Sequence, residues 1–375
     1  MLTDAARAAD FPSLTDRVYL NTAAEGVPPR QVIDALTQYG HDKTLGMDGR
    51  ERHRPHWESA REQVAAAYGF SADEIGICSC TSEAFILAAT AVRLQEGDEV
   101  IINDLDFPAG VTAWLQPDCP ARVKVWRSEG GALRVDDLIP LLGPKTRLVT
   151  GSLVSFYNGF MIPVAEVVDA VRRHSPALLA LDVTQALGRI PLELTGVDMA
   201  VSSTHKWILA SHGGGLVGIP RSRSDVLTAA TGGWFGKEDP FRDDRFDTPS
   251  HSKPGAESYM VGMPNYAAIY AINAGLEYIH GVGIEAIDAH ARPLVMAVLE
   301  GLKKLPVELL TPDDPASIAG ILAFCHPDSE RIHRLLHDRG IHVMHQAGRV
   351  RISLHGYNTM EHVDALLGAL ADALR

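Results

Sequence analysis

The sequence contains little cysteine and no long apolar run. Its four cysteines, in a chain of 375 residues, are spaced neither as a disulfide framework nor as a zinc site; they are Cys78, Cys80, Cys119 and Cys325. Their scarcity predicts a reducing, cytoplasmic compartment. The apolar runs fall far short of the roughly 18 residues that a membrane-spanning helix needs, and residues 1–14 lack the apolar core of a signal peptide.

Basic residues are also scarce relative to acidic ones. The chain has 34 Lys and Arg against 47 Asp and Glu, which gives a net charge of −13. Such a surface repels phosphate backbones and anionic lipids, so we expect the protein to bind neither nucleic acid nor membrane. A basic cluster within residues 50–56 is predicted to lie in a solvated loop, where it could guide an anionic substrate; its members are Arg50, Arg52, His53, Arg54 and His56.

Short apolar runs alternate with helical patterns across residues 60–220. The helical patterns include residues 82–93 and 163–174, and the second opens with Pro163 in the first turn, where a helix tolerates proline. This alternation predicts an α/β fold in which a mostly parallel sheet lies between layers of helices. The predicted strands span residues 74–80, 98–104, 121–128, 146–155, 177–183, 198–203 and 215–219.

A second series of α/β patterns follows a long irregular segment, residues 221–263, which is rich in Gly, Pro and Asp. We therefore predict a large domain at residues 17–258, a smaller C-terminal α/β domain at residues 259–375, and an N-terminal segment, residues 1–16, that packs with the smaller domain. In the smaller domain, helices are predicted at residues 264–279, 284–304, 329–340 and 359–375, and strands at residues 319–325 and 349–355.

Two neighbouring strand ends carry complementary chemistry. Ligands of parallel sheets bind at the carboxyl ends of the strands; Asp182 lies at one such end, and Lys206 follows the next strand. A lysine amine can form a Schiff base with pyridoxal phosphate, and a carboxylate can pair with the protonated pyridine nitrogen of that cofactor. The alternatives are a helix N-cap for Asp182 and a solvated surface position for Lys206. However, Lys206 lies between a buried strand and a glycine run, residues 213–215, which is unusual for a surface lysine.

Six strings along the chain resemble the class V, fold-type I family of pyridoxal phosphate enzymes, which includes aminotransferases, cysteine desulfurases, kynureninase and isopenicillin N epimerase-like proteins. The resemblance implies pyridoxal phosphate as the cofactor, bound by the large domain, and a homodimer with its active sites at the interface. The strings occur in family order; they are YLNTAAEGVPP (19–29), CTSEAF (80–85), DLDFPAG (104–110), DVTQALG (182–188), SSTHKW (202–207) and RVRISLHGYNT (349–359).

The resemblance implies a role for each matching residue near the cofactor. Lys206 would form the Schiff base and carry the proton at Cα, and Asp182 would pair with the pyridinium. Gln185 and Asn158 would hydrogen-bond the phenolic oxygen; for Asn158 the alternative is a turn residue before Gly159. Backbone N–H groups at a helix start favour a phosphate, and the phosphate ligands would be Thr81, Ser82, Ser203 and His205. The alternative for Ser82 is a helix cap, which is compatible with phosphate binding, and the alternative for His205 is a structural histidine.

The remaining implied roles concern the cofactor ring and the substrate. Phe107 would stack on the pyridine ring; the alternative is a loop aromatic packed into the core. Arg351 would bind the α-carboxylate of the substrate through a bidentate contact. Arg349 lies on the same face of the predicted strand, because side chains alternate along a strand, and it is the main rival for this role.

The sequence departs from the family pattern at two places. Cysteine desulfurases carry a nucleophilic cysteine in the loop before the Arg351 strand, whereas residues 342–348 contain none and Cys325 falls inside a predicted strand. Desulfuration by the usual persulfide route is therefore not expected. The family commonly has a threonine before Pro-Asn-Tyr that reaches the partner's phosphate, and this chain has Met263 there. Backbone N–H groups or Trp234 are the alternatives for that contact.

The predicted function is that of an aminotransferase-like enzyme acting at Cα of an amino acid. A Cβ–S lyase or an epimerase is the alternative within the same cofactor class, because these reactions share the loss of a proton from Cα. A non-catalytic binding protein is the alternative of another class. The joint presence of Lys206, Asp182, Gln185 and Arg351 speaks against that alternative, because a scaffold needs none of them.

Overall fold

Thirteen strands and eleven α-helices make up the computed structural model, which describes residues 1–375. The strands are β1 (Val18–Tyr19), β2 (Ile75–Cys78), β3 (Glu99–Asn103), β4 (Arg122–Trp126), β5 (Thr146–Ser152), β6 (Leu178–Asp182), β7 (Met199–Ser203), β8 (Gly215–Gly218), β9 (Glu308–Leu309), β10 (Ile321–Cys325), β11 (Ile341–His342), β12 (Met344–Gln346) and β13 (Arg349–Ser353). The helices are α1 (Asp4–Asp10), α2 (Arg30–Lys43), α3 (Met47–Tyr68), α4 (Thr81–Val92), α5 (Pro108–Val111), α6 (Val135–Leu138), α7 (Val164–His174), α8 (Tyr266–Val282), α9 (Ile284–Leu302), α10 (Ser329–Asp338) and α11 (Met360–Ala373). None of these helices is both long and apolar enough to cross a membrane.

The central sheet has seven strands in the order β2-β8-β7-β6-β5-β3-β4. All neighbours from β7 to β4 pair in parallel, and β8 runs antiparallel to both β2 and β7. Alternate side chains of β3 enter two different hydrophobic clusters, Ile101 on one face and Val100 and Ile102 on the other. Helices therefore cover both faces, and the predicted mostly parallel mixed sheet is confirmed.

A smaller antiparallel sheet organises the C-terminal part of the chain. Its strand order is β12-β13-β10-β9, and its core draws on α9, α10 and α11. In the pairing of β10 with β13, Ala323 lies opposite Arg351 and Cys325 lies opposite Arg349. Since directly opposed residues of an antiparallel pair project to the same face, Cys325 and Arg349 share one side of this sheet.

The long helix α8 packs with the large sheet although it falls in the range predicted for the small domain. Its buried residues, among them Ile269 and Ile272, belong to the hydrophobic cluster of the central sheet. Judged by these packing contacts, the hydrophobic core of the smaller domain begins after α8, near Gly283. The predicted division at residues 258 and 259 stays a prediction of the domain boundary.

Residues 47–68 form a helix, so the prediction of a solvated loop around Arg50 is wrong. The buried positions of α3 include Gly49, His53, Ala60 and Val64, with helical spacings of four, seven and four residues. Small and polar residues occupy these positions, so the apolar periodicity is faint in the sequence. His53 is buried and its Nδ1 lies 3.0 Å from the Tyr270 hydroxyl in α8.

A segment near the N-terminus, residues 20–26, connects the two cores. Ala23 donates its N–H to the Ser353 hydroxyl in β13 at 3.0 Å, and its carbonyl accepts a hydrogen bond from the Gln185 side chain at 3.0 Å. Gly26 donates its N–H to the carbonyl of His205 at 2.8 Å. The segment thus lies between the small sheet and the strand ends of the large one.

Candidate active site

A cavity opens at the carboxyl ends of β5, β6 and β7, beside the start of α4. Its wall includes residues from each of these elements and from the turn after β7. Eight of the ten residues predicted for the site line this cavity; they are Thr81, Ser82, Phe107, Asp182, Gln185, Ser203, His205 and Lys206. Asn158 and Arg351 do not line it.

Lys206 and Asp182 bring opposite charges into the cavity; Asp182 is buried and Lys206 is partly buried. Asp182 ends β6, and its Oδ1 accepts a hydrogen bond from the N–H of Thr184 at 2.8 Å. Burial raises the pKa of Asp182, while the backbone and side chain of Thr184 oppose that shift. Burial also lowers the pKa of Lys206 to about 8, with the charge of Asp182 acting in the opposite direction and that of Arg351 adding to the decrease. About a tenth of the Lys206 amine is therefore neutral at pH 7, far more than for a lysine with its usual pKa.

Two hydroxyl groups in the cavity have no hydrogen-bond partner. The Oγ1 of Thr81, at the first position of α4, and the Oγ of Ser203, at the end of β7, are buried and unpaired. Buried polar groups are normally paired, so both atoms point to a bound ligand. The free N–H groups at the start of α4 favour an anion. This end of the cavity therefore suits a phosphate.

His205 lies beside a second imidazole that the sequence reasoning missed. The rings of His205 and His212 stack with their centroids 4.3 Å apart and an angle of 14° between their planes. The Nε2 of His212 lies 3.3 Å from a carboxylate oxygen of Glu25. Burial, followed by the charges of Lys206 and His212, lowers the pKa of His205 to about 4, so His205 is neutral near neutral pH. No motif spacing links residues 25, 205 and 212, which is why the sequence alone did not reveal this cluster.

Two phenylalanines form an apolar wall next to Lys206. The Nζ of Lys206 lies 5.3 Å from the centre of the Phe107 ring. Phe107 contacts Phe156 edge to face, with ring centroids 5.0 Å apart. Phe156 also lines the cavity, and the sequence reasoning did not single it out. A planar ligand bound in the cavity would therefore contact an aromatic surface formed by Phe107 and Phe156.

The two predicted amide contacts differ in their surroundings. Gln185 lines the cavity; its Nε2 donates to the Ala23 carbonyl, and its Oε1 accepts from the Trp207 indole at 2.6 Å. Asn158 is buried outside the cavity, and its Nδ2 donates to the carbonyls of Gly131 and Leu310 at 2.7 and 3.2 Å. Both amide hydrogens of Asn158 are therefore occupied, and a contact with a cofactor oxygen would require one of these bonds to break.

Arg351 lies behind the aromatic wall. Its Nη1 donates to the carbonyl of Phe156 at 2.9 Å, and its Nε has no partner. Arg349 lies on the same side, with its guanidinium carbon 5.5 Å from the Phe156 ring centre and 4.2 Å from that of Tyr157. Both arginines are almost completely buried, at 2% and 3% exposure. The predicted period-two relationship of the two side chains is thus seen at the back of the site.

Cys80 is the cysteine that lines the cavity. It is the N-cap residue of α4 and is exposed. Cys80 is not among the residues that the sequence predicts for the site. Cys325 is partly buried opposite Arg349. Residues 342–348, which run from the end of β11 through β12 to the turn before β13, contain no cysteine.

Pyridoxal phosphate fits the residues of the cavity. The unpaired hydroxyls of Thr81 and Ser203 and the start of α4 suit its phosphate, Asp182 suits a protonated ring nitrogen, and Lys206 provides a partly neutral amine for its aldehyde. The assignment of individual contacts to Thr81, Ser82, Phe107, Asn158, Asp182, Gln185, Ser203, His205, Lys206 and Arg351 stays a prediction.

Comparisons of the sequence with known proteins identify a family over nearly the whole chain. The family model "Aminotransferase class-V" matches residues 18–366. A cysteine desulfurase of Synechococcus elongatus is 28% identical over 96% of this chain, and a probable cysteine desulfurase of Mycolicibacterium paratuberculosis is 29% identical over 98%. The chain spans only 62% and 57% of the lengths of these two proteins. The uncharacterized aminotransferase YcbU of Bacillus subtilis is 23% identical, with 96% of this chain and 95% of that protein aligned.

Solved structures share the same fold. The apo structure of a cysteine desulfurase from Thermococcus onnurineus NA1 has a TM-score of 0.89 and 22% identity, and covers 100% of this chain and 98% of that one. The cystine C–S lyase C-DES, solved with its product cysteine persulfide, has a TM-score of 0.87 and 22% identity, and covers 96% and 99%. These likenesses confirm the predicted fold type.

Proposed function

Because this chain belongs to the class-V aminotransferase family, whose cofactor is pyridoxal phosphate, we propose that it is an aminotransferase that acts at Cα of an amino acid. The observation that carries the proposal is the cavity itself. It combines a partly buried lysine of lowered pKa with a buried carboxylate at the neighbouring strand end and with two unpaired hydroxyls, one at the start of α4 and one at the end of β7.

Each residue has a definite task in this proposal. When bound, pyridoxal phosphate accepts the electron pair that the substrate's Cα releases. Asp182 holds the ring nitrogen protonated, and Lys206 binds the cofactor and then takes and returns the proton at Cα. Arg351 orients the α-carboxylate, and Phe107 covers one face of the ring. Phe107 has no ionisable group and cannot transfer a proton. The proton at Cα is therefore carried by Lys206.

A Cβ–S lyase is the second candidate, and Cys80 is the observation that favours it. The Cys80 thiolate could attack the sulfur of a cysteine substrate, so that the Cβ–S bond breaks, the sulfur stays on Cys80 as a persulfide and the carbon skeleton leaves as alanine. The relatives and solved structures include proteins named cysteine desulfurase and cystine C–S lyase. The loop before β13 offers no thiol for this purpose. An epimerase, the remaining alternative, would return the proton to the opposite face of Cα, and no residue of the cavity favours it over transamination.

A panel of amino acids, assayed with and without 2-oxo acids, tests the proposal. An aminotransferase forms a new keto acid only when an amino acceptor is present. Elimination releases pyruvate and ammonia without an acceptor, together with sulfide from cysteine or cysteine persulfide from cystine. Sulfur transfer to Cys80 leaves alanine as the carbon product, and an epimerase changes only the optical rotation. Acceptor-independent release of sulfide as the main reaction would contradict the aminotransferase proposal.

Cys80→Ser separates the two leading candidates further. The variant keeps a polar side chain at the start of α4, so an aminotransferase should retain most of its activity. Cys119→Ser, at a partly buried cysteine outside the cavity, is the matched control. If Cys80→Ser alone abolishes sulfur release while the cofactor content stays normal, the lyase function replaces the proposed one.

We also propose that the enzyme is a cytoplasmic homodimer. Support comes from large apolar side chains on the surface, since Phe241 and Phe246 are 72% and 87% exposed in the irregular segment. Trp234 packs against Phe241 in the same segment, and Met263 is half-exposed near the cavity. Sedimentation should give twice the 40.5 kDa of one chain; a monomer at micromolar concentration would contradict the dimer.

A further inference from the structure

Three arginines of the chain are almost completely buried, and only one of them has a carboxylate partner. Arg189 pairs with Asp288 at 2.9 Å and also donates to the Leu354 carbonyl at 2.9 Å. No carboxylate lies within ion-pair distance of Arg349 or Arg351, although they are 97% and 98% buried. The Nε atom of each has no hydrogen-bond partner.

Two guanidinium groups that lie side by side in a protein interior without a carboxylate partner are destabilising. Burial of a charge costs several kcal/mol unless a counter-charge and hydrogen bonds compensate it. Arg349 and Arg351 also repel each other, because they project from the same face of β13. Burial and this mutual repulsion lower the pKa of Arg351 to about 9. Binding of an anionic ligand would compensate the two positive charges and stabilise the pair.

The pair lies directly behind the wall of the active-site cavity. Phe156, which lines the cavity, contacts Arg351 through its carbonyl and Arg349 through its ring. On its other side Phe156 contacts Phe107, which covers Lys206. The Tyr157 ring centre lies 4.2 Å from the guanidinium carbon of Arg349, and Tyr157 is itself 37% exposed. Access of a ligand to Arg349 from this side requires the Tyr157 ring to move.

The residues around Arg349 provide no negative charge of their own. Its closest neighbours are the Tyr157 ring and, on the paired strand, Cys325. Burial raises the pKa of the Cys325 thiol, so this thiol is a poor counter-ion at neutral pH. Glu308, which lies opposite Cys325 on β9, is exposed and forms no ion pair with Arg349.

We propose that Arg349 and Arg351 together bind an amino acid that carries two anionic groups, with the α-carboxylate on Arg351 and a second carboxylate on Arg349. The substrate class is thus the acidic amino acids and their 2-oxo acids. This inference rests on the proposed function, because it assumes that an amino acid reacts in the cavity. Two guanidinium forks, each able to bind a carboxylate through two hydrogen bonds, provide the selectivity.

Calorimetric titration of the cofactor-loaded protein with unreactive carboxylates tests the proposal. Succinate carries two carboxylates, and butyrate has the same number of carbons with one. At constant ionic strength, succinate should bind about ten- to a hundredfold more tightly, because one additional charged hydrogen-bonded contact is formed. Arg349→Gln should abolish this preference and leave butyrate affinity unchanged. Arg147→Gln, at an exposed arginine of β5, is the matched control.

The results distinguish this inference from the proposed function. Equal affinities of the native protein for the two ligands, or an equal loss of both in Arg349→Gln, would overturn the role of Arg349. If Arg349→Gln does not fold, Arg349→Lys is the second variant, because it keeps the charge without the planar fork. It should reduce the preference for succinate to an intermediate value. An unchanged preference in Arg349→Lys would also overturn the role of Arg349. If succinate is preferred but no amino acid yields a keto acid, the aminotransferase proposal fails and the dianion site stands.

Discussion

At the scale of single residues, the lowered pKa of Lys206 sets the pH range in which the protein can take up its cofactor. Only the neutral amine can attack the cofactor aldehyde. Because burial lowers this pKa to about 8, the neutral fraction rises with pH and is nearly complete above about pH 9. We predict that the rate of covalent attachment to cofactor-free protein rises with pH and levels off there.

Stopped-flow absorbance at a series of pH values measures this rate. An ordinary exposed lysine would continue to accelerate towards its usual pKa near 10.5. Lys206→Ala is the control, since it should leave no cofactor that borohydride can fix to the chain. A covalent adduct mapped to Lys237 or Lys253 would mean that the attachment site has been wrongly assigned.

Cys325 is predicted to be dispensable. Its thiol has a raised pKa because of burial, and the thiolate is the reactive form of cysteine. Cys325→Ala should therefore retain most of the activity on whichever amino acid proves to be the substrate. The measurement is kcat/KM beside cofactor content. Complete loss of activity in a folded, cofactor-loaded variant would reveal a sulfur-carrying role.

The sequence predicted the site residues that lie at strand ends. It predicted few of the residues that reach the site through contacts between distant parts of the chain. Asp182 and Lys206 follow consecutive strands, so their proximity comes from the parallel topology alone. The site also contains residues that turns and a distant segment bring to it, namely His212, Glu25 and Phe156. The periodicity of the sequence does not predict such contacts. For Asn158 the motif was present, but its amide is engaged by Gly131 and Leu310.

At the scale of elements, the segment of residues 20–26 depends on one close approach of two backbones. A Cβ at Gly26 would lie 1.9 Å from the Lys206 carbonyl oxygen. Gly26→Ala must therefore displace the turn that carries Lys206. We predict a weaker cofactor affinity and a loss of about 1–3 kcal/mol in the free energy of unfolding.

Cofactor titration and denaturant unfolding measure these two effects. Gly40→Ala in α2 is the control, because no atom lies within 4 Å of the added Cβ and alanine favours a helix over glycine. An unaltered cofactor affinity in Gly26→Ala would show that the contact between the segment and the Lys206 turn is unimportant.

Helices were predicted well where their buried face is aliphatic and poorly where it is not. The sequence predicted α4, α7 and α11 within about two residues, since each combines apolar periodicity with a start signal. The periodicity of α3 is masked, because charged residues dominate it and a proline, Pro55, lies inside it. Its stability comes from packing on α8, which a single local pattern cannot reveal.

At the scale of the whole molecule, the ion pair between Arg189 and Asp288 joins the two cores. Arg189 follows β6, while Asp288 lies in α9 and the Leu354 carbonyl follows β13. Asp288→Ala would leave a fully buried guanidinium without its counter-charge. We predict a loss of about 3–5 kcal/mol in the free energy of unfolding.

Denaturant unfolding followed by two probes is the appropriate measurement, because loosened cores could unfold separately. Asp313→Ala removes an exposed partner of Lys303 and should leave the midpoint nearly unchanged. If both variants are equally stable, the buried pair contributes little to the joining of the cores.

The position of residues 20–26 also has a consequence for biosynthesis. This stretch leaves the ribosome early, yet its partner Ser353 is translated 330 residues after Ala23. Until that late strand emerges, the early stretch has only its contacts with Gln185 and His205 and lacks its support from the small sheet. Nascent chains halted before β13 should therefore fail to retain the cofactor, and the vitamin-derived group would be captured only after translation has nearly ended.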